Sequence, residues 1–161
     1  MAAAPDRAEF LRQGDELWDA LWAKLGALTD EQLQRLGASG PDWSGKDVLA
    51  HLGHWHDHAL EGISAMVEGR EPTSRSDFDD WNARWFAEDS ALTAAEARSR
   101  CEASREALRS YLAALTDDQW AESTHTWSDG VTEHIYQWAD TNMGEHYREH
   151  LDELAKVAWP D

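Results

Sequence analysis

Apolar residues recur at three- and four-residue steps over most of the chain, the spacing that gathers them on one face of an α-helix. Between Asp6 and Leu28 these positions are Phe10, Leu17, Trp18, Leu21, Trp22, Leu25 and Leu28, which predicts a first long helix. Thr29 and Gln32 have the spacing of a capping box and open a short helical turn. The run Gly37-Ala-Ser-Gly-Pro41 then breaks the chain. Ser44 with Asp47 starts a second long helix, striped by Val48, Leu52, Trp55, Ala59, Ile63 and Met66. The polar stretch from Glu68 to Ser76 reads as a loop, and Ser76 or Asp77 caps a brief helix carrying Trp81 and Trp85. Thr93 with Glu96 opens a third long helix, striped by Ala97, Cys101, Ser104, Leu108, Tyr111 and Leu115. A last helix is predicted from about Thr132 to Ala158, ended by Pro160.

No run alternates β-branched or aromatic with polar residues, so no strand is expected. Four long amphipathic helices with short connections predict an all-α four-helix bundle, one domain over residues 1–161. A weak repeat runs through it. Leu25-Gly-Ala-Leu-Thr-Asp-Glu-Gln-Leu33 resembles Leu112-Ala-Ala-Leu-Thr-Asp-Asp-Gln-Trp120, and each copy precedes a Trp-Ser pair (Trp43-Ser44, Trp127-Ser128) and a helix. Either the chain is two helix pairs of similar design about a pseudo-twofold axis, or it uses one common turn-starting sequence twice.

Charge narrows the function classes. With 14 Lys and Arg against 32 Asp and Glu, the formal charge is -18 and the pI is near 4.6. Such a chain has no basic surplus to displace counterions from phosphate, and none for an anionic membrane. Neither nucleic acid nor membrane is therefore the expected partner. Cys101 is the single cysteine, the start Met1-Ala-Ala-Ala-Pro5-Asp6 has no signal-peptide core, and no apolar run approaches the ~20 residues of a membrane span. A cytoplasmic protein is expected. Ten Trp and eight His are harder to place in so acidic a chain.

The histidines suggest a use. His146 and His150 stand four apart, on one helical face, beside Ala139, Met143, Leu154 and Val157 and away from Glu145, Arg148 and Asp152. Buried imidazoles need partners, because an unsatisfied polar group costs ~1–3 kcal/mol, and a divalent metal satisfies both at once. The bland alternative is a helical interaction domain whose histidines satisfy one another. A third ligand must come from another helix. Around the second helix, taking Val48 as the stripe centre, His51 lies about 60° away, His58 about 80° to the same side, His54 about 120°, and His56 about 80° to the other side. His51 is best placed to point inward, and the other three are expected at the boundary or in solvent. Three histidines from two helices with an open fourth position suit a catalytic, zinc-type site.

Two segments carry a family resemblance. Trp43-Ser-Gly-Lys-Asp-Val-Leu-Ala-His51-Leu resembles the second-helix motif of the DinB/YfiT-like superfamily, and Thr141-Asn-Met-Gly-Glu-His146-Tyr-Arg-Glu-His150 resembles its last-helix His-x-x-x-His motif. The look is nearest to the ClbS/DfsB branch and to maleylpyruvate isomerase N-terminal domains. The resemblance implies a four-helix bundle whose three histidines, here His51, His146 and His150, bind a divalent metal. Members include S-transferases that use low-molecular-weight thiols, a thiol-dependent isomerase, and proteins that hydrolyse or sequester reactive natural products. This sequence departs from the DinB branch by having Tyr147-Arg148-Glu149-His150 in place of a His-His-Arg-Gly run. Nor is a second domain of the isomerase kind expected within these 161 residues.

No other nucleophile competes. Cys101 falls in the third-helix stripe and reads as packing, and there is no G-x-S-x-G or glycine-rich phosphate loop. Asn142, one turn before His146, would touch ligand or substrate; Asp140 or Glu153 would hold an imidazole N–H, and Glu149 adjoins His150. Trp18 and Trp22 read as core, whereas Trp55, Trp81 and Trp85 read as core packing or as the wall of a substrate pocket. The expectation is a metal-dependent enzyme that activates water or a low-molecular-weight thiol for attack on an electrophilic small molecule, as hydrolase or S-transferase. Zinc is the default ion, with nickel, iron or manganese also compatible with three imidazoles. The alternative is a binding protein that sequesters a reactive metabolite. A homodimer is compatible with families of this kind.

Overall fold

In the computed structural model, which describes residues 3–73 and 77–157, helix α1 (Arg7–Leu25) starts where the Asp6 carboxylate accepts the backbone N–H of Glu9. It buries Leu11, Gly14, Leu21 and Leu25, and ends short of Leu28, which packs against the core from the following turn. Thr29 and Gln32 close both hydrogen bonds of a capping box on α2 (Asp30–Leu33). Ser44 and Asp47 do the same for α3 (Gly45–Val67), which buries Val48, Leu52, Ala59, Ile63 and Met66. Helix α4 (Phe78–Glu88) has Asp77 in its N-cap position at φ 70°, without a side-chain cap, and has no fully buried residue. Ser76, the other candidate cap, lies outside the described residues. A 3-10 turn (Asp89–Ala91) leads to α5 (Ala94–Ala114), capped by the Thr93–Glu96 box, and Thr116 with Gln119 caps α6 (Asp117–Glu122). The last helical stretch is continuous but compound: α7 (Ile135–Ala139), a π turn (Asp140–Glu145) and α8 (His146–Leu154). Ala158 and Pro160, the predicted end, lie outside the described residues.

These elements form a four-helix bundle. Helix α3 packs along α5 on one side and against α7 on another, while α1 lies on α8 and α5. Among the described residues no helix is long and apolar enough to cross a membrane.

The expectation of no strands is corrected. Strand β1 (Leu36–Ser39) pairs antiparallel with β2 (Trp43–Ser44), and β3 (Thr124–Thr126) with β4 (Thr132–His134). At two to four residues each, these strands are too short to show alternation. The β3–β4 pairing also explains why the last helix begins at Ile135 rather than Thr132: Thr132–His134 spends its backbone groups on β3.

The element order repeats: a long helix, a Thr-capped short helix, a hairpin and a long helical stretch occur twice, as α1-α2-β1-β2-α3 and as α5-α6-β3-β4 followed by α7, the π turn and α8. The two Trp-Ser pairs are not equivalent within it. Trp43-Ser44 is β2, and Ser44 caps α3, whereas Trp127 and Ser128 lie between β3 and β4, and His134 occupies the cap of α7.

Close approach of α3 to α7 depends on Gly62. A Cβ there would stand 2.9 Å from Cζ2 and 3.1 Å from Cε2 of Trp138, a rigid indole that cannot yield as a flexible side chain does. Gly62→Ala is expected to cost about 1–3 kcal/mol in overpacking against a helix-propensity gain of about 1 kcal/mol. The net result is a lower Tm in thermal unfolding; an unchanged or higher Tm would mean that the indole moves aside freely.

Candidate metal centre

His51 sits about two turns into α3, placed by the Ser44 cap, and His146 and His150 are one turn apart on α8. The bundle brings the three together. His51 Nε2 lies 2.8 Å from His146 Nε2, which lies 3.1 Å from His150 Nε2, and one ligand atom from each falls within 4.8 Å of the others. The π turn just before His146 widens the helical repeat, a device common at functional sites. Met143 and Tyr147 then fall in the core at 0 % exposure, while His146 is half-buried at a cavity wall.

Protonation follows from the surroundings. Glu153 Oε2 is 2.9 Å from His150 Nδ1, and that hydrogen bond, joined by one from Ser39 at the end of β1, holds the carboxyl below its usual range. An ionised carboxylate only accepts, so His150 Nδ1 donates to it and Nε2 turns to the cluster. Burial, with His150 adding to it, pushes His51 down to about 3, and burial likewise holds His146 well below the ordinary imidazole range. Three imidazoles with converging Nε2 atoms do not satisfy one another, since a proton on His146 Nε2 serves one neighbour properly and not two. A cation at their centre satisfies all three: ligand atoms of a tetrahedral zinc site stand about 3.3 Å apart. The donor set therefore fits a divalent ion with a position to spare.

That position faces a cavity of about 680 Å³. His51, His146 and His150 line it with Trp55, Trp138 and Asn142. Asn142 donates to the Trp138 carbonyl at 2.9 Å, which fixes its amide, and the Trp55 indole N–H donates to Asn82 at 3.0 Å. Trp81 and Trp85 are not in this lining. Trp81 packs behind, 4.8 Å from the His58 ring, and Trp85 stacks on His54 at 4.7 Å and 2°. Trp18 and Trp22 stack on each other at 5.1 Å and lie at the core margin, half-buried. Cys101 is fully buried, and burial pushes its thiol pKa up, so it is unsuited to nucleophilic work.

Of the remaining helix-three histidines, His58 and His54 are half-buried boundary residues. His54 bridges the Asp89 carboxylate at 2.7 Å and the Arg100 guanidinium at 3.0 Å, tying the end of α4 to α3 and α5. His56 corrects the expectation. It is 0 % exposed, because α5 covers that flank of α3, and both its nitrogens are used. Ser104 donates its hydroxyl proton to the Cys101 carbonyl at 3.0 Å and so accepts from His56 Nδ1 at 3.1 Å, leaving Nε2 to accept the Tyr147 hydroxyl at 2.7 Å. Tyr147 was also missed, although it falls at regular helical spacing with Met143, His150 and Leu154. Trp43, edge-on to His51 at 5.0 Å, was likewise missed, since it lies across a helix cap where no periodicity reaches.

A helical bundle that delivers three imidazoles from two helices to one end of an aromatic cavity is the class this fold and site define. The chain belongs to the mycothiol maleylpyruvate isomerase N-terminal domain family, whose model matches residues 15–152, within the DinB-like superfamily. No curated protein matches it. Among solved structures, an uncharacterised protein from Escherichia coli UTI89 is similar at 16% identity and TM-score 0.76, covering 99% of this chain and 94% of that one. The colibactin self-resistance protein ClbS, in complex with a dsDNA, is similar at 12% identity and TM-score 0.76, over 98% and 96%. DfsB, described as a sibling lethal factor precursor, shares 12% identity at TM-score 0.75, over 94% of both chains. At these identities the likeness is one of fold.

Proposed function

We propose that this protein is a divalent-metal-dependent enzyme acting on an electrophilic small molecule, with His51, His146 and His150 as ligands and zinc as the ion. The observation that carries the reading is the convergence of three Nε2 atoms at the edge of a cavity large enough for a small substrate. When bound, the ion supplies a Lewis-acid position that activates water or a thiol, mycothiol being the thiol in the family's name. The chain's own groups prepare that position. Glu153 and Ser39 hold His150 in the tautomer that offers Nε2, burial keeps His51 and His146 deprotonated, and Trp55, Trp138 and Asn142 shape the space and limit water.

A second reading is favoured by the likeness to ClbS, which is described as a self-resistance protein: the same cavity would sequester a reactive compound without turning it over. In either case a small molecule, rather than nucleic acid, is the partner we propose, because a chain of net charge -18 is poorly matched to DNA. Protein purified without a polyhistidine tag is expected to hold about one divalent ion per chain and to consume a thiol-reactive electrophile only when metal-loaded. Failure to bind any divalent ion on titration sinks the enzyme reading; metal with binding but no turnover selects sequestration. Glu153→Gln is expected to weaken metal affinity about 10–100-fold, read by chelator competition. Unchanged affinity would show that the carboxylate does not orient His150.

A further inference from the structure

The cavity carries charge of one sign. Glu133, Glu145 and Glu149 line it, and among the described residues no lysine or arginine does. Glu145 and Glu149 each precede a candidate ligand by one residue and lie one turn apart, both exposed at the wall. Glu133, in β4, accepts the Trp127 indole N–H at 2.7 Å. A doubly charged ion at the imidazoles does not balance three lining carboxylates, and Glu153 stands behind His150 as a fourth.

Aromatic faces accompany the carboxylates. Trp55 lies 5.3 Å from Phe78, and Trp138 is backed by Trp127 at 5.3 Å and 27°. Between them stands His58, its ring 5.3 Å from Trp55 and 5.8 Å from Trp138, with a buried Nε2 that has no hydrogen-bond partner. Ring faces attract a cation through their quadrupole, carboxylates add Coulomb attraction, and a neutral imidazole lone pair accepts an amine N–H.

We propose that the ligand of this cavity is a small organic cation, an amine or quaternary ammonium compound, held by Glu145 and Glu149 beside the Trp55 indole. It rests on the cavity being the substrate site. It runs against a dicarboxylate such as the maleylpyruvate of the family's name, for which the wall offers no cationic partner.

Three probes with one ring and different charge test it: benzyltrimethylammonium, benzyl alcohol and benzylsulfonate, titrated by tryptophan fluorescence into metal-loaded and chelator-stripped protein. The cation is expected to bind about 10-fold tighter than the alcohol, from about 1–2 kcal/mol of cation–π and charge attraction, with no saturable binding of the sulfonate. Glu145→Gln/Glu149→Gln should abolish the cation's advantage and leave the alcohol unchanged. Equal binding of cation and alcohol, tighter sulfonate, or a cation preference that survives the double substitution would overturn the proposal. Cation preference in a protein that binds no metal would leave this proposal standing and remove the metal reading alone.

Discussion

His146→Ala/His150→Ala is expected to lose its metal completely, from about one ion per chain to none, while keeping its helical circular dichroism. Two of the three converging nitrogens disappear together, and one remaining imidazole cannot hold a divalent ion against solvent. The helix survives because its packing rests elsewhere, on Met143, Tyr147 and Leu154, all buried in the core. Without metal, the variant should unfold at a temperature close to that of the stripped parent, since the deleted imidazoles lie at a cavity wall and their Nε2 atoms meet only one another and His51. A variant that retains one ion per chain would place the metal elsewhere.

The second large effect lies behind the site. His56→Leu removes the acceptor of the Tyr147 hydroxyl and the donor to Ser104 in a region at 0 % exposure. An unsatisfied buried hydroxyl costs about 1–3 kcal/mol, and the poor fit of an aliphatic side chain adds to it. A loss of about 2–4 kcal/mol follows, or about 5–15 °C in Tm for a domain of this size. A pH signature accompanies it. Burial lowers His56 to about 3 from an ordinary 6.5, so between those values the unfolded chain binds a proton that the folded chain does not. Stability rises with pH across that window and is lost as pH falls from 6.5 toward 3. His56→Gln, which keeps a hydrogen-bonding side chain, should be milder in Tm and equally flattened in pH slope. Urea unfolding at neutral pH and near pH 4.5 measures both; an unchanged pH slope in either variant would show that His56 is not the group that titrates.

What the sequence disclosed, and what it withheld, divides along the range of the interactions. The caps at Thr29, Ser44 and Thr93 are three-residue signals, and each is closed in the structure as spaced. The stripe of α3 is a one-helix property, and its apolar members are buried apart from Trp55, which faces the cavity. His51 could be ranked above its neighbours from angle alone, and the bundle brings it to His146 and His150. The strands could not be read, because two- to four-residue pairings carry no period. Nor could the π turn, which a uniform 100° step does not represent. His56 was misjudged because its burial is decided by α5, whose Ser104 lies 48 residues further on. Trp81 and Trp85 shared a spacing with a pocket wall, yet the way α4 lies over α3 turns them to His58 and His54.

The stacked indole pairs described above also give the molecule optical reporters, beside the group formed by Trp55, Trp81 and Trp85. Trp18–Trp22 and Trp127–Trp138 are near-parallel, at 20° and 27°, and close enough for their excited states to couple. Only the second pair has a member in the cavity lining. A compound entering the cavity would therefore disturb the signals of Trp127–Trp138 and of the Trp55 group and leave that of Trp18–Trp22 as an internal standard, so that occupancy could be followed spectroscopically with no label and no assay of turnover.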